Sequence, residues 1–150
     1  MGEPRLAISG EAGGVVMAYM LDTNHWIYLL KGRSPALARK LDRIDPQDVR
    51  FCSVVKEELY YGAHKHANRE ARLAILGELF ARHDSADFDN AAAEEAGRLR
   101  HGLEKRGEVI GPHDLQIAAI AVTNGWVMVT NNIKEFQRIP KLKLEDWSRA

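Results

Sequence analysis

The chain has a single cysteine, Cys52, so no internal disulfide can form. That fits a reducing cytosol, and Cys52 closes an apolar run, as a buried, inert thiol would. There is no excess of charge: Lys and Arg total 21, Asp and Glu total 21. Net charge therefore points to no polyanionic or membrane partner, and any phosphate contact must come from cations gathered locally or from a second subunit. No apolar run approaches the roughly 20 residues that span a bilayer. Glycine-rich phosphate loops, zinc knuckles, Ser-His-Asp spacings, internal repeats and low-complexity tracts are all missing. His64 and His66 are two apart on an expected helix, so they point apart and make a poor shared metal site.

What remains is an ordinary globular composition, 45% hydrophobic and 28% charged over 150 residues. That length suits one domain with a proper core. Residues 1–18 read differently from the rest. Gly2, Gly10, Gly13 and Gly14 with Pro4 describe a flexible leader, either a poorly ordered natural terminus or an extension ahead of a true start at Met17 or Met20. A single domain is expected over 19–150.

Short apolar strands alternate with helices. Tyr19-Met20-Leu21 reads as a buried strand ending at Asp22, with Thr23 or Asn24 able to cap a helix to about residue 30. Ser34 with Pro35 opens a second helix to about 44. Residues 49–52 form a strand, and Ser53 caps a helix over 54–66. A helix follows over 67–82, with Leu73, Leu76, Leu79 and Phe80 as its apolar side. A strand is expected over 83–88, and a long helix runs from Asp89 or Asn90 to 106. Residues 113–124 are apolar nearly all round, as in a central buried helix that Gly125 ends. Residues 126–129 form an unbroken apolar strand, as a parallel sheet covered on both faces requires. A helical turn at 133–136 and a closing edge strand at 142–144 complete an α/β fold with a mostly parallel sheet.

The polar residues that interrupt this pattern fall at comparable ends of successive β/α units, where open parallel sheets place ligands. Asp22 follows the first strand, though it is equally placed to cap the next helix. Glu58 lies in the early turns of its helix on an inward face, with Glu57 facing solvent, although the helix dipole favours an acid there in any case. Asp114 opens the nearly apolar helix, where a charge is rare unless paired or metal-bound. Thr130, Asn132 and Glu135 follow the last buried strand, where an ordinary turn is the plainer alternative. Two carboxylates about 4 Å apart repel by roughly 4 kcal/mol at an effective dielectric of about 20. Several together need a cation or a proton, and all-oxygen ligation suits Mg²⁺ or Mn²⁺. Such a metal can activate water against a phosphodiester. His113, beside Asp114, is placed to touch the site or its substrate, with a solvated loop histidine the plainer reading.

Four segments then carry a resemblance: Leu21-Asp-Thr-Asn24, Ser53-Val-Val-Lys-Glu-Glu-Leu-Tyr-Tyr-Gly62, Ile110-Gly-Pro-His-Asp-Leu-Gln-Ile-Ala-Ala119, and Val129-Thr-Asn-Asn-Ile-Lys-Glu-Phe-Gln-Arg-Ile-Pro140. In order and spacing they resemble the PIN-domain nucleases, and more narrowly the VapC toxins of type II toxin–antitoxin pairs, from about Met20 to Trp147. The resemblance implies a three-layer α/β/α PIN-like fold with a mostly parallel central sheet of about four to five strands. It implies a cytoplasmic, Mg²⁺-dependent endoribonuclease (Mn²⁺ as substitute) with Asp22, Asp114 and Glu58 as metal ligands and catalytic residues. Supporting polar groups would be Thr23, Asn24, Thr130, Asn132 and Glu135. Many relatives carry aspartate where this chain has Asn132, which leaves Glu135 as the candidate fourth acid and argues for one well-held metal and a weakly held second. The Thr-Asn-Asn segment with the closing Glu-Asp-Trp147 resembles toxins that cut initiator tRNA. Implied partners are RNA, a VapB-type antitoxin and a second copy of the chain. Lys31, Arg33, Lys40, Arg43, Lys134 and Arg138 are candidate phosphate contacts. Trp26, Ile27, Leu59 and Tyr60 are candidates for partner contact or for core. A haloacid-dehalogenase-like phosphohydrolase is the rival enzyme, but it wants an aspartate at position 24, where this chain has Asn24. A non-catalytic binding module is the third reading.

Overall fold

The computed structural model describes residues 17–149. Most of the leader segment falls outside the described residues. Ala18 is already core, 3% exposed, and its carbonyl accepts from Val127 N at 2.8 Å.

Five strands, β1 (Tyr19–Leu21), β2 (Val49–Cys52), β3 (Ser85–Ala86), β4 (Val127–Val129) and β5 (Lys143–Glu145), form one sheet in the order β3-β2-β1-β4-β5. Every pairing is parallel. Among the described residues seven α-helices make the connections: α1 (Thr23–Leu30), α2 (Pro35–Asp42), α3 (Ser53–Lys65), α4 (Arg69–Ala81), α5 (Asn90–Lys105), α6 (Pro112–Asn124) and the short α7 (Ile133–Phe136). The chain steps from β1 to β3 in one direction, then returns past β1 to β4 and β5. Right-handed crossovers therefore place α1–α4 on one face and α5–α7 on the other. The order reverses between β1 and β4, and their carboxyl ends open a crevice there.

Local chemistry sets the element ends. Ser34 Oγ accepts from Leu37 N at 3.2 Å, with Pro35 in the first helical turn. Asp89 Oδ1 caps α5 through Ala92 N at 2.9 Å. Gly125 ends α6 at φ 69°, a left-handed conformation that glycine adopts without steric cost. Ser53 does not cap α3. Its hydroxyl accepts from Phe88 N at 3.0 Å and so ties the exit of β3 to the start of α3. The third strand is two residues long rather than the six-residue span its composition admits.

The core fills the sheet and both faces. Leu115, Ile117, Ala118, Ala119, Ile120 and Ala121 on α6 are all buried. On the other face Trp26 stacks on Phe51 with centroids 4.6 Å apart, and Phe80 meets Phe51 edge-on at 4.9 Å. Among the described residues two charged side chains are buried outside the site. Arg50 of β2, 2% exposed, donates to Gln47 O at 3.1 Å and lies 5.6 Å from the Trp126 ring centroid. Glu95 of α5 pairs with Arg98 and, at 3.7 Å, with Lys141. Cys52 is buried, and its thiol is pushed up to about 11 by that burial, as an inert core cysteine should be. Among the described residues no helix is long and apolar enough to cross a membrane.

Phe51 has no exposed surface and three ring partners among the described residues, Trp26, Phe80 and His83. Phe51→Ala should cost about 3–5 kcal/mol, read as a lower urea midpoint at unchanged slope.

Candidate functional site

Asp22 leaves the end of β1 with its backbone N–H donating to Val129 O at 2.9 Å, so the ends of β1 and β4 are locked together. Asp22 is 7% exposed, and its two carboxylate oxygens do different work. Oδ1 caps α1 by accepting from His25 N at 2.9 Å. The cap is thus Asp22 itself rather than Thr23 or Asn24. Oδ2 accepts from the fully buried Thr130 hydroxyl at 2.5 Å. That hydroxyl also accepts from Asn132 N at 3.0 Å, and Asn132 Nδ2 donates to Glu135 Oε1 at 2.9 Å.

Glu58 reaches the same crevice from the second turn of α3. One oxygen accepts from the Thr23 hydroxyl, and the other lies 3.2 Å from His113 Nδ1. Glu57 faces solvent. His113 lies in the first turn of α6, not in the preceding loop, which is why it meets Glu58. Asp114 follows it and hydrogen-bonds Glu135, which two carboxyls do by sharing a proton. Burial, that bond, and the charges of Glu135, Glu58 and Asp22 together push the Asp114 carboxyl up to about 7. Asp22 is also raised, by burial first, while Thr130 and the His25 amide pull the other way and Glu58 adds to the rise.

Asp22, Glu58, Asp114 and Glu135 therefore converge, with Thr23, Thr130 and Asn132 laced between them. Asn24 is exposed on the outer side of α1. The carboxylates do not close into a finished cage: among the described residues no three Asp, Glu, His or Cys side chains form a group ready to hold a metal. Their repulsion is met instead by hydroxyl and amide donors and by a retained proton. All donors are oxygens and one acid is protonated near neutrality, a chemistry that fits a hard divalent cation in place of that proton.

Two participants escaped the sequence reading. His25 is fully buried, with Nδ1 3.6 Å from Asp22 Oδ1 and Nε2 3.9 Å from Asp146 Oδ1. Neither ring nitrogen has a hydrogen-bond partner among the described residues. Its position three residues after Asp22, on one helix face, was the available signal. Asp146 follows β5, at the same carboxyl edge of the sheet. The six candidate phosphate contacts do not share one surface. Lys31 flanks a groove that Glu58 also lines, Lys40 and Arg43 line another with Asp146, and Lys134 and Arg138 line a third with Arg106. Arg33 lies exposed just beyond the end of α1.

An aspartate raised from 3.8 to about 7 binds its proton more tightly folded than unfolded, so it costs stability increasingly as pH climbs between those values. Asp114→Asn should therefore stabilise the metal-free protein by roughly 2 kcal/mol above pH 7 and by little near pH 4. Melting curves at the two pH values check this.

Comparison with known proteins gives a consistent outcome. A family profile described as PIN domain matches residues 19–142. The chain is 38% identical over 133 residues to the Shigella flexneri protein named tRNA(fMet)-specific endonuclease VapC, covering 89% of this chain and 100% of that one. A chain in the crystal structure of DNA-bound VapBC from Salmonella typhimurium superposes with a TM-score of 0.81 at 35% identity, covering 88% and 99% of the two chains. One from VapBC2 of Rickettsia felis, bound to a promoter DNA fragment, gives 0.81 at 36%, covering 87% and 99%. With the strand order, the gathered carboxylates and these matches in agreement, the chain belongs to the PIN-domain family and, within it, to the VapC proteins.

Proposed function

We propose that this protein is a divalent-metal-dependent endoribonuclease, the toxin of a VapBC-type pair, with tRNA as substrate and initiator tRNA as the leading candidate. The convergence of Asp22, Glu58, Asp114 and Glu135 at the sheet's switch point, with Asp114 pushed up to about 7, carries the reading. The substrate class rests on the name of the Shigella relative. Asp22, Asp114 and Glu58 would hold Mg²⁺ or Mn²⁺, with Glu135 able to assist a second, weaker site. When bound, such an ion lowers the pKa of water and stabilises the leaving oxygen of a phosphodiester.

The chain's own groups set the stage for that chemistry. Thr130 and the His25 amide fix the Asp22 carboxylate, and each of its oxygens keeps a free lone pair. Thr23 and His113 orient Glu58. Asp114 must give up the proton it shares with Glu135, so activity should rise with pH through about 7 as that carboxyl ionises. Asp22→Asn keeps a good helix cap, and Asp114→Asn removes charge without volume. Each is expected to lose at least about 100-fold in RNA cleavage while still folding, and excess chelator should silence the parent protein until Mg²⁺ is restored. Undiminished cleavage in chelator would defeat the metal reading. Cleavage of neither tRNA nor other RNA would leave a binding module instead.

The partner reading has its own surface. A groove of about 340 Å³ between α1, α3 and α4 is lined by Ile27, Leu30, Leu59, Ala63, Ile75 and Leu76, and Glu58 lines it as well. Trp26 and Leu59 are core, whereas Tyr60 and Ile75 are 42% and 44% exposed. The superposing chains come from VapBC complexes, which supports an antitoxin segment seated here, and a homodimer as the toxin's own assembly. Ile75→Asp should weaken antitoxin binding at least about 10-fold, measured by titration calorimetry, with the melting temperature preserved.

A further inference from the structure

A second groove, of about 500 Å³, opens between α2 and the segment that follows β5. Arg39, Lys40, Arg43 and Arg149 line it, with Asp146 and Trp147. Trp147 is a rigid wall: it is 4% exposed, its ring packs on Tyr19 at 5.1 Å, and its Nε1 donates to Glu145 at 2.9 Å. The acid inside is already engaged. Asp146 accepts from Ser148 N at 2.9 Å and Ser148 Oγ at 2.6 Å, and it pairs with Arg149 at 3.3 Å. Among the described residues no carboxylate pairs with Arg39, Lys40 or Arg43, and all three are exposed. Lys40 alone has an aromatic neighbour, Trp147, 5.9 Å from its ammonium.

The other basic cluster is spent on the fold. Arg106 pairs with Glu108 at 3.0 Å and donates to Arg138 O at 2.8 Å, while Arg138 donates to Val109 O at 2.9 Å. A chain with no net charge must concentrate its phosphate-binding cations, and the α2 groove gathers three that no carboxylate among the described residues engages.

The groove also lies at the correct edge. Glu145 pairs with Val129 in register, and Thr130 N donates to Glu145 O at 2.9 Å, so Asp146 stands beside the end of β4. One buried imidazole, His25, separates its carboxylate from that of Asp22, at 3.9 and 3.6 Å. We propose that this groove is a second phosphate subsite, gripping the RNA backbone a few nucleotides from the scissile bond and so setting which bond reaches Asp22 and Asp114. This rests on the ribonuclease reading above.

The test uses the full chain carrying Asp22→Asn, which binds without cutting, and unfractionated tRNA followed by fluorescence anisotropy across a salt series. Adding Arg39→Gln with Arg43→Gln should lower affinity about 10-fold at physiological salt. It should also flatten the slope of log K against log salt by about 1.4, near 0.7 for each phosphate no longer neutralised. Melting curves verify that both proteins are folded. Unchanged affinity and slope, with the parent binding tRNA, would overturn the subsite and leave the ribonuclease reading standing. Failure of the parent to bind, together with no cleavage by the unmutated protein, would overturn both. Intact RNA binding with lost antitoxin binding would assign the groove to the protein partner and overturn the proposal equally.

Discussion

The hydrogen bond from Thr130 to Asp22 joins residues 108 positions apart across the point where the strand order reverses. It holds in place a carboxylate that its surroundings oppose. Burial disfavours the charge on Asp22, and Glu58 disfavours it further. Removing one donor from a buried acid leaves an acceptor unsatisfied, at about 1–3 kcal/mol or more for a charged group. Every other polar residue of the crevice answers the same problem. Thr23 and His113 hold Glu58, Asn132 holds Glu135, and Asp114, raised by burial and by Glu135, keeps a proton.

That crowding follows from topology. With all strands parallel, every strand ends at one edge and every following helix starts there. Asp22 and Thr130 come from β1 and β4, neighbours in space though distant in sequence. Asp114 opens α6, whose buried middle, from Leu115 to Ala121, fixes its position. Glu58 sits one turn into α3, anchored beneath by Val54, Val55 and Leu59. The rigid apolar elements are what permit four acids to be held where they repel.

Most of this was legible from the chain. The apolar run of α6 made Asp114 conspicuous, and Leu21-Asp22 marked a strand end, because burial and period leave strong traces in composition. What failed to show depended on tertiary partners. Ser53 carries the right chemistry for a cap, but Phe88 N, 35 residues on, claims its hydroxyl. His25 hides among apolar neighbours, and only the approach of Asp146 gives it meaning. His113 reads as solvated until α3 brings Glu58 to it. The basic residues were visible singly, yet their division among three surfaces, and the loss of Arg106 and Arg138 to backbone carbonyls, required the fold.

An acidic crevice and a polyanionic substrate stand in tension on the ribonuclease reading. A chain with 21 residues of each charge cannot draw RNA in by its overall field, and the carboxylates at the site repel phosphate. Neutralisation must therefore be local. Inside the crevice a divalent cation can supply it, replacing the single proton on Asp114 with two positive charges. Beside the crevice, Arg39, Lys40 and Arg43 can supply it on the neighbouring backbone. The buried ring of His25, whose pKa burial lowers, lies between the carboxylate of Asp146 in the basic groove and that of Asp22. A free arginine within reach of that carboxylate would satisfy it and compete with the metal. On the same reading, the acids of the crevice and the cations beside it act on one RNA strand at two points.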